Sequence, residues 1–478
     1  MHQKKAVELS ETRDHLALFF EMGTGKTPTA ITILRLWFLQ WNKIENSIIF
    51  CPPIVVQQWA EEFDSWSKLG RYVVPLVGPG TKRAKIVKER IESGLPTIFV
   101  TNYETLLMKD VFALLMEANI KVGVFDESQK VKNHKAKKFK FAMQLADLMD
   151  RKLILTGTPI LNTPMDIWSQ YRVLDGGATF GKNFYVFQAK YFHDVNLKLR
   201  GTQKYFPKWV PRPGLIEEFN KILSTTSLRA KKDECLDLPP LIRKKVYVEM
   251  TPKQKRVYKE LSEDFVSYVD NGVVDADLAL VKILRLQQIV SGFVRIEKVE
   301  EDLSQVFKSK YEDLIFDDVP RLKALEELIL ETTPENKVIV WACFKENYRA
   351  IREVCEKHGI KYVEIHGEQT AKKRDQAVRD FREDPDTRLV IANQRAGGVG
   401  LNLIEAKYAF YYSRDYSLES DLQSEARNYR GGSDIHSQVV RVDLVTPNSV
   451  DQTILQALEK KQNLAEKILD IRDQIRDS

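Results

Sequence analysis

Leu16-Ala-Leu-Phe-Phe-Glu-Met-Gly-Thr-Gly-Lys-Thr-Pro-Thr-Ala30 runs from an apolar segment through a glycine-flanked turn into a helical pattern. A turn of this kind at the end of a buried strand builds a cradle for phosphate. Gly23 and Gly25 let main-chain N–H groups approach phosphate oxygens, and Pro28 suits the first turn of a helix whose N-terminus favours negative charge. Thr24 belongs to the same cradle, Lys26 is placed to reach the outer phosphates, and the Thr27 hydroxyl is placed to ligate magnesium. The full phosphate-loop pattern carries another glycine five residues before Gly25, where this chain has Phe20. The turn therefore needs a carboxylate partner elsewhere to define a nucleotide site.

Val122-Gly-Val-Phe-Asp-Glu-Ser-Gln-Lys130 supplies that partner by placing two acids directly after another apolar strand. Phosphoryl transfer needs in-line positioning and neutralised charge, so Asp126 is expected to hold magnesium through its shell and Glu127 to orient and deprotonate the attacking water. On two strands of one sheet, the 23–27 turn and this acidic pair indicate a site that hydrolyses a nucleoside triphosphate.

Apolar runs at 15–22, 47–52, 97–100, 122–125 and 153–155 alternate with helical stretches, and a second series follows at 338–344, 362–366, 389–392, 408–412 and 439–445. Strands separated by helices predict parallel sheets with helices on both faces and ligands at the carboxyl ends of the strands. The expected fold class is α/β with two such lobes. The first covers 1–175, a helical insertion covers 176–245, and a second helical protrusion and linker covers 246–320. The second lobe covers 321–478 and closes on an amphipathic helix from Ser449 to about residue 471. Between 176 and 240, Phe184, Tyr185, Phe187, Tyr191, Phe192, Tyr205 and Trp209 mix with Lys198, Arg200 and Lys204. The mixture fits a nucleic-acid face, but an inserted subdomain with its own small core and solvated lysines is the reading we favour.

The 478 residues suffice for about three ordinary domains. Lys and Arg exceed Asp and Glu by 73 to 67, a balance of +6 that permits an anionic partner without requiring one. Cys51, Cys235, Cys343 and Cys355 form no Cys-x-x-Cys pair, which argues against a zinc or disulfide framework. No apolar run approaches the ~20 residues of a membrane span, and no signal-peptide pattern opens the chain, so a soluble intracellular protein without a membrane partner is expected.

Three further stretches carry potential chemistry. Leu155-Thr-Gly-Thr-Pro-Ile-Leu-Asn162 follows a strand, and its small hydroxyl residues suit a relay between the phosphate site and a second ligand. Arg395-Ala-Gly-Gly-Val-Gly-Leu-Asn402 offers a glycine-rich loop for main-chain contact with phosphate. Gln423-Ser-Glu-Ala-Arg-Asn-Tyr-Arg430 sets Arg427 and Arg430 three apart, on one face of an expected helix. Such arginines stabilise transition-state charge at a γ-phosphate; a solvated helix face is the alternative.

In order, these elements resemble the Swi/Snf-type ATPases of helicase superfamily two. The resemblance rests on Glu21-Met-Gly-Thr-Gly-Lys-Thr27, Cys51-Pro-Pro with Gln58-Trp59 and Glu62-Phe63, Thr101-Asn-Tyr-Glu104, and Asp126-Glu-Ser-Gln129 with Lys132-Asn133. It continues through Leu155 to Asn162, Thr251-Pro-Lys-Gln254 with Tyr258, Ala396 to Asn402, and Gln423 to Arg430. It departs at Phe20, at Tyr429 where histidine is common, and at Gly431-Gly432 in place of isoleucine-glycine, while both arginines are kept.

The resemblance implies two RecA-like lobes, MgATP in the cleft between them and DNA, expected to be duplex, crossing both. It assigns MgATP binding and hydrolysis to Lys26, Thr27, Asp126 and Glu127, with Gln423, Arg427 and Arg430 completing the site. Gln3 falls where the family often carries an adenine-reading glutamine. Pro52, Tyr103, Lys132, Thr156, Asn162, Gly397, Gly398 and Asn402 fall in segments used for DNA contact or coupling. The implied activity is a DNA-dependent ATPase translocating on duplex DNA. The alternatives are a helicase or branch-migration enzyme, and an ATP-gated clamp of negligible turnover. A monomer of compact prokaryotic or bacteriophage type is expected, in the cytoplasm of a prokaryotic or infected cell, with any recruiting protein unspecified.

Overall fold

A computed structural model describes residues 1–200, 207–270, 276–300, 308–397 and 401–469. The chain divides into two compact units, one made of Met1–Val195, Pro207–Asp237 and Lys461–Ser478, the other of Asn196–Phe206 and Leu238–Lys460.

The strands of the first unit are β1 (His15–Phe20), β2 (Ser47–Cys51), β3 (Val73–Pro75), β4 (Ile98–Asn102), β5 (Val122–Asp126), β6 (Arg151–Leu155), β7 (Phe192–Asp194), β8 (Trp209–Pro211) and β9 (Ser227–Ala230). Seven of them form a sheet in the order β3-β4-β2-β5-β6-β1-β9, with every neighbouring pair parallel. β7 and β8 form a separate antiparallel pair. Successive side chains of a strand point to opposite faces. β1 accordingly sends Ala17 and Phe19 into one core and Leu16, Leu18 and Phe20 into another, and β2 divides Ile48 and Phe50 from Ile49 and Cys51 in the same way. Helices cover both faces, which is why these strands read as unbroken apolar runs.

The expected strands are all present. β3 and β9 are additional, because a three-residue strand and Ser227-Leu-Arg-Ala offer no apolar run to notice. The aromatics of the 176–240 stretch do not form a core of their own. Phe184, Phe187, Tyr191 and Phe192 are buried in the same cluster as Phe19 of the sheet and Trp168 and Tyr171 of the helix Asp166–Asp175. Phe219 closes on them, with ring centroids 5.0 Å from Tyr191 and 5.2 Å from Phe180. Tyr185 stands well out, at 65% exposed, Trp209 is exposed as well, and Lys204 and Tyr205 lie outside the described residues. The closing helix, Val450–Leu469, was expected wholly within the second lobe. From Lys461 it belongs to the first unit, where Ala465, Ile468 and Leu469 enter the core and Glu466 pairs with Arg229 at 2.7 Å.

The second unit contains β10 (Leu241–Tyr247), β11 (Phe293–Glu300), β12 (Lys308–Ile315), β13 (Lys337–Trp341), β14 (Tyr362–Ile365), β15 (Leu389–Ala392), β16 (Ala406–Tyr411) and β17 (Val439–Val445). Six form a parallel sheet in the order β10-β17-β16-β13-β15-β14. The helices expected over 246–320 are Pro252–Asp270 and Ala276–Val290, but an antiparallel hairpin, β11 with β12, follows them. β10 escaped the sequence pattern because it is an edge strand with exposed Arg243, Lys244 and Lys245 at its centre, charges that discourage pairing with another chain. Among the described residues no helix is long and apolar enough to cross a membrane.

Candidate functional site

In the first unit β1 ends at Phe20, which is fully buried, and the chain turns through Gly23 (φ 85°) and Gly25 (φ 87°) into the helix Lys26–Gln40. Both glycines occupy the left-handed region, where a Cβ is strained. A Cβ on Gly25 would also lie 1.9 Å from Gln3 Nε2, an impossible approach. The Gly25, Lys26 and Thr27 amides open the helix, so no carbonyl one turn back receives them, and they can serve an anion instead. Thr24 is turned inward, its hydroxyl donating to the Glu21 carbonyl at 2.9 Å. The Lys26 ammonium donates to the Phe20 carbonyl at 3.0 Å. Gln3, on the helix His2–Ser10, donates to the Gly25 carbonyl at 3.4 Å, and His2 Nε2 lies 2.8 Å from the Thr24 carbonyl oxygen. The His2 contact was not foreseen, since no motif marks it.

Asp126 is the last residue of β5 and Glu127 the first beyond it; Glu127 has φ 51°, a left-handed conformation that few residues other than glycine and asparagine adopt and that clusters at functional turns. The Asp126 carboxylate is buried and accepts from the Trp59 indole at 3.1 Å and from the Glu127 amide at 3.0 Å. Burial, followed by the Glu127 charge, pushes its pKa up to about 7, while the Lys26 charge pulls the other way. That opposing pull brings the turn and the acid into one electrostatic site. Gln129 donates to Glu127 Oε2 at 2.5 Å, fixing the carboxylate expected to act as base. Trp59 and Gln129 stand in the quoted motifs but were not singled out; only the fold reveals that they hold the two acids.

Tyr103 and Thr156 were placed among residues for DNA contact or coupling, and both side chains are buried. The Tyr103 hydroxyl donates to the Asp126 carbonyl at 2.8 Å, and the Thr156 hydroxyl accepts from the Thr158 amide at 3.0 Å. Next to Thr156, a Cβ on Gly157 would lie 3.1 Å from the Phe20 carbonyl oxygen, so the 155–162 turn packs directly on the entrance to the phosphate turn. Asn162 is exposed, its amide donating to Asp166 Oδ2 at 2.8 Å and its side chain accepting from Lys461 at 3.3 Å. Lys132 is half-buried after the turn Ser128–Val131, and Pro52 is buried between β2 and the turn Pro53–Val55.

In the second unit Gln423 lies on the helix Leu418–Glu425. Arg427 and Arg430 do not: the helix stops at Glu425, and both arginines sit in the turn beyond it. They still converge, because Arg427 Nη1 donates to the Leu401 carbonyl at 3.0 Å and Arg430 Nη1 reaches the same oxygen at 3.5 Å. Gln423 donates to Glu419 at 3.4 Å. Gly397 ends the short helix Gln394–Gly397, Gly398 lies outside the described residues, and Asn402 has a buried side-chain oxygen with no hydrogen-bond partner among the described residues.

Behind this segment lies a buried lattice of charges. Arg441 on β17 meets Asp421 at 2.9 Å, Glu425 at 3.0 Å and Asp443 at 3.1 Å, while Arg414 pairs with Asp421 at 3.3 Å and with Asp443. Burial opposes the Arg441 charge, yet the carboxylates outweigh it and hold its pKa well above the ordinary value. Burial likewise opposes ionisation of Asp443, but Arg414 and Arg441 hold its pKa below the ordinary carboxylate value. Asp443→Asn should therefore destabilise this unit by about 3–5 kcal/mol at neutral pH, as expected when a buried pair loses one partner. A depressed folded pKa contributes stability that is complete above the unfolded value and disappears as pH falls through the folded one. Guanidinium unfolding at several pH values should show the deficit narrowing in acid; a deficit independent of pH would place the loss in packing instead.

The SNF2-related domain family matches residues 2–303, and the helicase conserved C-terminal domain matches residues 320–432. The chain therefore belongs to the SNF2-related family. It is 23% identical over 505 residues to the TATA-binding protein-associated factor MOT1 of Saccharomyces cerevisiae, an alignment covering 95% of this chain and 26% of that protein. It is 25% identical over 487 residues to the human DNA repair and recombination protein RAD54B, covering 94% of this chain and 52% of that one. With the transcription regulatory protein SNF2 of S. cerevisiae it shares 25% over 462 residues, covering 94% of this chain and 26% of the relative. The chain thus spans about half or less of the length of these curated relatives. A solved Sulfolobus solfataricus SWI2/SNF2 ATPase core in complex with dsDNA aligns over 98% of this chain and 91% of that one, at 24% identity and a TM-score of 0.42.

Proposed function

We propose that this chain is a DNA-dependent ATPase that translocates on duplex DNA as a monomer, driven by hydrolysis of MgATP. The observation that carries the reading is the phosphate turn after β1 and the Asp126–Glu127 pair after β5 of the same sheet, linked by the Lys26 charge felt at Asp126. Main-chain amides of 25–27 and Lys26 bind the phosphates, and Gln3 reads the base. Glu127, held by Gln129, takes a proton from the attacking water. Arg427 and Arg430 serve the charge that develops on the γ-phosphate, and Gln423 supports them.

The residues fit a magnesium ion. Asp126 is a buried carboxylate whose pKa is pushed to about 7, so an adjacent cation favours its ionised form, and Thr27 supplies a hydroxyl at the helix N-terminus. Bound there, magnesium would neutralise charge on the phosphate oxygens.

DNA as the substrate is supported by the family and by relatives named for DNA repair, recombination and transcription. The helices Pro252–Asp270 and Ala276–Val290, and the residues Pro52, Lys132, Asn162, Gly397, Gly398 and Asn402, are the proposed contacts or couplings. Contacts should be mostly to phosphates, so ATPase stimulation should be nearly sequence-independent and fall steeply as salt rises. At fixed salt, duplex is expected to stimulate turnover more than single-stranded DNA or RNA. With MgATP, the protein should displace the third strand of a triplex and leave a forked duplex paired. Efficient unwinding of the fork with the triplex intact would instead support the helicase reading, and absent DNA-stimulated phosphate release would support an ATP-gated clamp.

A further inference from the structure

Two helices on one face of the first sheet, Lys26–Gln40 and Val56–Trp66, end side by side and leave a groove of about 750 Å³. We propose that this groove docks an acidic peptide segment of a partner protein, anchored by a bulky apolar side chain. Its apolar part is open to solvent to an unusual degree, with Leu39 76% and Trp66 56% exposed beside the buried Phe38 and the half-buried Leu69. Two exposed apolar side chains lining one groove offer a seat for an apolar anchor of a partner.

The rim is prepared as well as exposed. The Trp66 indole N–H donates to Glu62 Oε2 at 2.7 Å, which fixes the ring, and Arg35 Nη1 donates to the Trp66 main-chain carbonyl at 3.2 Å, which ties the guanidinium to the end of the neighbouring helix. Tryptophan and arginine are the side chains that most often dominate binding energy at interfaces.

Charge selects the occupant. Three cations, Arg35, Lys43 and Lys68, line the groove against one lining carboxylate, Asp64, while Glu62 at the rim is engaged by the Trp66 indole. Lys43 is already paired with Glu45 at 2.8 Å. Among the described residues, Arg35 and Lys68 have no carboxylate within ion-pairing distance, which leaves them for acids of a partner. A nucleic-acid backbone would use the cations but offers nothing to Leu39 and Trp66, so a peptide satisfies more of the surface. The helix Lys26–Gln40 has 15 residues, which puts the groove about 20 Å from the phosphate turn at the opposite end. A docked segment would leave the nucleotide site open, and the inference does not depend on the reading of that site.

The test uses the full chain and three fluorescein-labelled 15-residue peptides. One is amphipathic, with Leu and Phe anchors among Asp and Glu; one replaces its acids with Lys; one replaces its anchors with Ser. Anisotropy should show saturable binding of the first, at least about tenfold tighter than of the other two. Trp66→Ala and Lys68→Glu, both exposed positions, should each weaken it at least about tenfold while melting temperature and nucleotide binding stay at wild-type values. Equal binding of the lysine peptide, no saturable binding of the acidic one, or unchanged binding by both variants would overturn the proposal. So would duplex DNA whose binding is lost in Lys68→Glu, or self-association abolished by Trp66→Ala, since either would assign the groove another occupant.

Discussion

Replacing Arg430 with alanine is expected to slow ATP turnover about a thousandfold while leaving nucleotide affinity within a few-fold of wild type. The second unit contains two kinds of buried arginine. Arg441 is enclosed by Asp421, Glu425 and Asp443, which match its charge. Arg430 is partly buried, burial lowers its pKa, and among the described residues its side chain makes one long hydrogen bond, to the Leu401 carbonyl. A partly buried guanidinium with no carboxylate partner among the described residues costs free energy unless an anion meets it during the cycle. Developing charge on a transferring phosphoryl group is such an anion, and an arginine that acts on it affects turnover more than binding. Arg430→Ala should therefore not lower the unfolding midpoint, whereas Asp443→Asn should. Single-turnover hydrolysis and nucleotide titration decide the matter. Full turnover at saturating DNA with weakened DNA affinity would assign Arg430 to a DNA surface.

The parts of the fold legible in the sequence are those where burial on both faces forces unbroken apolar runs. β1, β2, β5, β13 and β15 are of this kind, and the phosphate turn and the acidic pair are fixed to the ends of β1 and β5 by local chemistry. Three edge strands were not legible, each for a local reason: β3 has only three residues, β9 is Ser-Leu-Arg-Ala, and β10 carries three consecutive basic residues. The aromatics at 184–192 looked alike in sequence, and only the fold separates buried Phe184, Phe187 and Tyr191 from exposed Tyr185. Distant partners were hidden for a related reason. Trp59 to Asp126 is a contact across 67 positions, and Gly157 matters only because another turn lies against it. The arginine pair was expected on a helix face from its spacing, but the helix ends two residues before Arg427, and the convergence on Leu401 comes from a turn.

Glu127→Gln is expected to keep ATP and magnesium binding and to lose at least about 100-fold in hydrolysis. The substitution keeps the shape of the side chain and removes its ability to accept a proton. In the structure the main chain at Glu127 is held in a left-handed turn, the carboxylate receives a hydrogen bond from Gln129, and the Lys130 amide donates to the Glu127 carbonyl at 2.9 Å. An amide would keep that frame, because its oxygen accepts from Gln129 as the carboxylate oxygen does. The substitution also removes the charge that, after burial, raises the pKa of Asp126. Asp126 should then ionise more readily, so magnesium affinity should be unchanged or higher in the variant. This pairing of outcomes separates a base from a metal ligand. Loss of hydrolysis with magnesium affinity retained supports Glu127 as the base; loss of both would make it a ligand; turnover near wild type would remove it from the chemistry altogether.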